Sequence, residues 1–260
     1  MPDPAPEPPG ATAPVAVVTA AADGIGRATA LAFGQAGYRV VAVDVDEAGA
    51  RTTVAELVAL PGTPPAEVAV ADVTDEAAVA SLAAAVRERT GTVAALVNVV
   101  GGSRPGLTAV QLPLDEWNRL LALNLTSTFL MCRAFIPLLE ANRGGTIVNV
   151  SSGAGIDGMR ANPAYCAAKA GVIALTRALA IDHMAAGVRV NCVAPGPIRT
   201  PLMQRNRTPE EITAMGRGVL AGRIGEPDEI AQTILWLSSP RSSYVVGQTI
   251  EVDGGRGAPV

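Results

Sequence analysis

The chain has 260 residues, 49% of them apolar but only 3% aromatic, and a formal net charge of −4. That length suits one well-buried domain, and the acidic balance leaves no basic footprint for nucleic acid or an anionic membrane. No apolar run reaches the roughly 18 residues of a membrane span. The first residues, beginning Met1-Pro2-Asp3-Pro4, lack the basic and apolar regions of a secretory leader. Residues 1–14 read as a disordered, Pro-rich tail, and the domain as residues 15–260. Cys132, Cys166 and Cys192 are odd in number and show no CxxC spacing. That speaks against both a disulfide framework and a zinc site, and fits a reducing cytoplasm. The single histidine, His183, closes an apolar helix, where a cationic terminus is its simplest role.

Taken in order, the chain alternates strand and helix. An apolar run at Val15 to Thr19 predicts a buried parallel strand, followed by the turn Ala20 to Gly26 and a helix over 27–35. Strand, glycine turn and helix together aim helix N-terminal amides at a pyrophosphate. A second strand over 39–44 ends on Asp44, about 20 residues after the glycines, the spacing of a carboxylate that accepts ribose hydroxyls. Asp23, Asp44 and Asp46 would repel a 2′-phosphate, which favours NAD over NADP.

The same rhythm continues with a helix over 47–60, a strand over 67–71 and Asp72-Val73 at its carboxyl end, beside an adenine. A helix over 75–89 leads to a strand over 94–98 and the loop Val99 to Ser103. A long helical region over about 114–140 holds Asn124 among apolar neighbours, where a buried amide must find partners. A fifth strand ends on Ser151-Ser152, and a helix reaching to about 186 follows. Next come a strand over 188–193, Pro195-Gly196-Pro197, and an irregular insertion over 198–226 that reads as a lid. Its one helical signal is at Thr208. A helix over 227–237 and a strand over 248–252 close the chain. Alternating β and α elements imply a single-domain α/β fold, a doubly wound parallel sheet of about seven strands with helices on both faces.

The chemistry centres on Tyr165 and Lys169. Four residues apart on a helix they share a face, and an ammonium beside a phenol favours phenolate, which predicts a lowered Tyr165 pKa and a general acid/base. Of twenty basic residues nineteen are Arg, and Lys169 is the only Lys. Lys offers a compact charge whose pKa moves, which Arg does not.

With these residues in view, the chain resembles a short-chain dehydrogenase/reductase of the single-domain type, over about residues 15–255. The motifs that carry the resemblance are Thr19 to Gly26, Asn98 to Gly101, Asn124, Ser152 with Tyr165 and Lys169, and Pro195-Gly196. The resemblance implies a Rossmann-type fold and a catalytic set of Asn124, Ser152, Tyr165 and Lys169. Tyr165 would exchange the proton of the substrate oxygen, with Ser152 hydrogen-bonded to that oxygen. Lys169 would hold the nicotinamide ribose and lower the Tyr165 pKa, and Asn124 would position a relay water. Thr19, Asp23, Gly24, Ile25, Gly26, Asp44, Asp72, Val73, Asn98, Gly101, Pro195, Gly196, Ile198 and Thr200 would contact or support the cofactor, with Tyr165 and Lys169.

The implied activity is NAD-dependent interconversion of a small-molecule secondary alcohol and a ketone by a cytoplasmic homo-oligomer, a tetramer, with no nucleic-acid or membrane partner and no metal. Two alternatives are a 3-oxoacyl-carrier-protein reductase using NADPH and a non-catalytic NAD-sensing binding protein. The chain departs from the family at Ala20, where the family has Gly, and at Val99-Val100. Ala disfavours positive φ, so Ala20 is expected to keep negative φ or to shift the loop. Loops at 102–112 and 153–163 and the lid should bound the substrate, and two of them carry Arg104 and Arg160, which read as solvated surface residues or as contacts for an anionic substrate.

Overall fold

A β-strand buried on both faces has no polar side to show, and the central strands here read accordingly: VAVVT in β1 (Val15–Thr19) is buried at every position. The computed structural model describes residues 13–256 without the side chain of Asn206. Residues 1–12 of the expected tail and residues 257–260 lie outside the described residues. At Pro14 the chain is already anchored, its carbonyl accepting from the Arg39 amide at 2.9 Å.

Seven parallel strands form one sheet in the order β3-β2-β1-β4-β5-β6-β7. The remaining strands are β2 (Arg39–Asp44), β3 (Glu67–Val70), β4 (Ala95–Asn98), β5 (Gly145–Val150), β6 (Val188–Pro195) and β7 (Thr249–Val252). Period-two alternation sends Val15 and Val17 to one core and Ala16 and Val18 to another. The first core is closed by α3 (Glu76–Thr90), α5 (Ser127–Ala141) and α6 (Pro163–His183). The second is closed by α1 (Gly24–Gln35), α2 (Glu47–Ala59) and α9 (Pro227–Leu237). The result is the expected doubly wound single domain. Its order reverses between β1 and β4, and crevices for ligands open at the carboxyl ends of strands where the order reverses.

Three elements differ from the sequence reading. Helix α1 starts at Gly24, so the glycines are its first turn and not a turn before it. The helix expected over 114–140 is α4 (Leu114–Leu121), a π-helical turn at Ala122–Thr126, and α5. The insertion over 198–226 is largely helical, with α7 (Pro201–Asn206) and α8 (Pro209–Arg217). Each begins with proline in its first turn and a threonine N-cap, Thr200 and Thr208, so the local sequence stops and restarts the helix. The segments Leu114–Ala141 and Pro163–Ala186 are long and apolar enough to cross a membrane. Here they pack on the sheet and carry buried Asn124 and Lys169.

Beneath α6 runs a buried polar chain. Asn98 Nδ2 donates to Asn149 Oδ1 at 2.9 Å, Asn149 Nδ2 to Thr176 Oγ1 at 3.0 Å, and Thr176 Oγ1 to the Val172 carbonyl at 2.8 Å. It stitches β4 to β5 and β5 to α6, which sets where α6 sits on the sheet.

Ala20 has φ of +54°, so the expected negative φ is overturned. The reason is close packing behind it: a Cβ on Gly26 would lie 1.9 Å from the Ala20 carbonyl oxygen, and the chain bends left-handed to bring α1 this near. A left-handed L-residue costs about 1–2 kcal/mol, of which glycine's larger unfolded-state entropy would take back up to about 1 kcal/mol. Ala20→Gly is therefore expected to raise the unfolding free energy by about 0.5–1 kcal/mol in urea melts, and a loss of stability would refute the strain.

Candidate active site

Lys169 is buried, and its position comes from the backbone on both sides. Its Nζ donates to the Val150 carbonyl at 2.9 Å, while its own carbonyl accepts from Ser151 Oγ at 2.8 Å. The end of β5 and the first turns of α6 are thereby locked together. Gly155 allows the loop between them to pass close, since a Cβ there would meet the Lys169 carbonyl carbon at 2.7 Å. The ammonium sits 5.9 Å from the centroid of the Tyr165 ring. Burial lowers the Lys169 pKa to about 8, leaving it mostly charged at neutral pH and close to titrating.

For Tyr165 the expected lowering is not what the protein provides by itself. Burial pushes the phenol up, and its interaction with the Ser152 hydroxyl pulls only partly back. The Lys169 ammonium makes its hydrogen bond to Val150 and none to the phenol, so desolvation wins. At neutral pH Tyr165 holds its proton.

Asn124 lies buried inside the π-helical turn, a distortion often found where a helix must place a functional group. Its Nδ2 donates to the carbonyls of Gly102 and Leu120, both at 2.9 Å, and its Oδ1 accepts from the Gly102 amide at 3.0 Å. The side chain thus clamps the β4 loop. A Cβ on Gly101 would come within 2.8 Å of both Asn124 Oδ1 and Lys169 Nζ, so a bare backbone is needed there.

Ser152, Tyr165 and Lys169 line one cavity of about 300 Å³ together with Asp23, Gly24, Ile25 and Gly26. Gly101, Pro195, Gly196, Ile198 and Thr200 border it too. A second cavity holds Asp44, Asp72 and Val73, and Ala20 and Gly101 border both, so one cleft crosses the sheet where its order reverses. The residues fit a dinucleotide. The amides of the first turn of α1 receive no side-chain cap and no acid stands among them, which suits a pyrophosphate. Asp44 is pinned at the end of β2, accepting from the amides of Ala22 and Asp46, each at 2.9 Å, which leaves it lone pairs for ribose hydroxyls.

Two expected cofactor contacts lie elsewhere. The Asn98 amide turns into the sheet toward Asn149, as its burial demands. The Thr19 hydroxyl accepts from the Val99 amide at 2.9 Å, so both residues support the β4 loop from behind. Asn124, likewise, stands behind the cavity wall and not in it.

The lid contributes Leu202, Met203, Arg207 and Met215, and the loop after β5 contributes Met159. Sequence reading placed these segments but singled out none of these side chains; their spacing in a broken helix carries no periodic signal. Arg104 and Arg160 are not among the lining residues, and Arg104 lies 3.8 Å from Glu116 with an exposed side chain. The loops over 102–112 and 153–163 meet at Ala161, another residue with positive φ (+53°). Its carbonyl accepts from the amides of Gly106 and Leu107 at 2.9 and 3.1 Å.

Comparison with known proteins fits this geometry. Residues 19–256 match a family model described as enoyl-(acyl carrier protein) reductase. The 3-oxoacyl-[acyl-carrier-protein] reductase FabG of Thermotoga maritima is 39% identical over 93% of this chain and 96% of its own length. The (2S)-[(R)-hydroxy(phenyl)methyl]succinyl-CoA dehydrogenase subunit BbsD of Thauera aromatica is also 39% identical, with the same coverage. A crystal structure from Burkholderia xenovorans, described as a short-chain dehydrogenase/reductase, superposes with a TM-score of 0.89 at 38% identity, covering 95% of this chain and 97% of that one. The chain belongs to the short-chain dehydrogenase/reductase family, whose members are NAD(P)-linked oxidoreductases acting on CH–OH groups.

Proposed function

We propose that this protein interconverts a secondary alcohol and a ketone with NAD(H), on a small-molecule substrate. The observation that carries the reading is the convergence of Tyr165, Ser152 and Lys169 on one cavity beside the uncapped start of α1. A bound nicotinamide supplies the hydride acceptor or donor. Tyr165 holds the proton that the substrate oxygen gains or loses, and the Ser152 hydroxyl hydrogen-bonds that oxygen. Lys169 supplies positive charge behind the phenol and, beside Gly101, a donor for ribose hydroxyls. Because burial keeps Tyr165 protonated, the resting site is set for ketone reduction, and oxidation draws on the phenolate.

NAD is favoured over NADP by Asp44. Arg119, the one arginine among the described residues that borders its cavity, already pairs with Glu116 through two hydrogen bonds of 2.7 Å. The second reading, a 3-oxoacyl-carrier-protein reductase using NADPH, is supported by the family description and the Thermotoga relative. A binding protein that only senses NAD would have no need of the proton-transfer group. Family resemblance further supports a cytoplasmic homotetramer.

The deciding assay is a panel of secondary alcohols and ketones read by nicotinamide absorbance with NAD(H) and NADP(H). Turnover with NAD(H) is expected, and tenfold better use of NADP(H) would overturn the Asp44 reasoning. Asp44→Ala should erode the preference for NAD. Tyr165→Phe should lower kcat by about 10²-fold or more; full activity in that variant would sink the mechanism.

With the Tyr165 pKa raised above the ordinary phenol value, kcat/KM for oxidation should climb with pH above neutrality while that for reduction stays level across the same range. Stability carries its own signature from Lys169. Between about pH 8 and its ordinary pKa the unfolded chain binds more protons than the fold, so stability rises with pH there. Urea melts should show wild type gaining on Lys169→Met from pH 8 to pH 10; a flat difference would contradict the buried amine.

A further inference from the structure

The cavity is lined by three ionisable groups that carry charge at neutral pH, and two of them are already engaged. Lys169 donates to the Val150 carbonyl, and Asp23 lies 3.5 Å from Arg205 on α7. The third is Arg207, in the extended link between α7 and α8 (φ −143°). Among the described residues its guanidinium reaches no hydrogen-bond acceptor; the nearest carboxylate oxygen, Glu211 Oε1, is 3.7 Å away. Glu211 itself is occupied, its Oε2 accepting from the Thr208 amide at 2.9 Å to cap α8. Arg207, its side chain 38% exposed, has only this long ion pair among the described residues, so its fork keeps its N–H donors for a ligand. Around it the wall is apolar, with Met159, Leu202, Met203 and Met215, three of the six methionines of the chain.

We infer that Arg207 is a specificity residue that selects substrates with an apolar body ending in an anionic group, a carboxylate or a phosphate. This rests on the secondary alcohol/ketone reading above and narrows its substrate class. A planar guanidinium offers two parallel N–H donors to such a group, while unbranched methionines adapt to the variable apolar stretch before it. The lid divides its two arginines: Arg205 faces Asp23 at the start of α1, and Arg207 leans toward α8. Arg104 and Arg160 do not line the cavity, and the lid supplies this charge in their place.

The test compares 3-oxo-octanoate with its methyl ester as substrates of wild type, Arg207→Met, which keeps the apolar stem, and Arg207→Lys. Wild type should prefer the acid by about 10- to 100-fold in kcat/KM, the usual worth of a hydrogen-bonded charge pair. Arg207→Met should bring that ratio toward one through the KM of the acid, with Arg207→Lys between. An unchanged ratio in Arg207→Met, or a rise in the KM of the nucleotide in place of the ketone, would overturn the inference. A 2-oxoheptylphosphonate arm separates phosphate from carboxylate selection, and preference for either anion over the ester supports the assignment.

Calorimetry with octanoate and 1-octanol needs no turnover and so separates this inference from the reading beneath it. Tighter octanoate binding that Arg207→Met abolishes supports the anion site even if no ketone is reduced. Equal binding of the two probes refutes it even if ketones are.

Discussion

Everything in the site leans on one buried amine. Lys169 is held between the Val150 carbonyl and the chain at Gly101, with its own backbone tied to Ser151. Putting a charge there costs desolvation, which its lowered pKa records. The fold meets that cost by surrounding the group with fixed backbone: β5 below, the β4 loop above, and α6 as its own support. Those three are the elements that the Asn98–Asn149–Thr176 chain and the Asn124 clamp hold in register. Much of the polar material buried near the sheet therefore serves to place a single side chain, and the sheet itself is ordinary Val- and Ala-rich packing around it.

The architecture, the glycine turn and the shared face of Tyr165 and Lys169 were legible in sequence because they follow short-range rules. Apolar runs of five or six residues mark strands with both faces buried, glycines mark close approach, and an i, i+4 pair marks a shared helix face. What sequence did not show depends on contacts between distant segments. Asn98 looks like a ligand in sequence, and only the neighbouring strand reveals that its amide is spent on Asn149. The π-helical turn at Asn124 leaves the apolar periodicity on either side nearly intact, so a single long helix is the natural reading. Tyr165 shows the same limit in its electrostatics. A Lys one turn away predicts a lowered pKa, but burial is a property of the whole fold and it prevails.

Ala20 illustrates how the fold overrides local preference. The residue type favours negative φ, yet contact between Gly26 and the Ala20 carbonyl fixes the approach of α1 and forces the left-handed bend. Strain of this kind persists where surrounding structure over-determines the backbone, and it gathers at functional sites. Here it lies in the wall shared by the two halves of the cleft.

The loops over 102–112 and 153–163 are joined at the Ala161 carbonyl. One oxygen accepts from two successive amides of the facing loop, Gly106 and Leu107, so neither loop can withdraw without orphaning donors of the other. The rim on that side of the cavity is therefore joined across the two loops by backbone hydrogen bonds. On the opposite side the lid is built of short helices that start at prolines. The two rims of the cavity thus differ in construction: backbone hydrogen bonds join 102–112 to 153–163, while the other is built of separate helical turns.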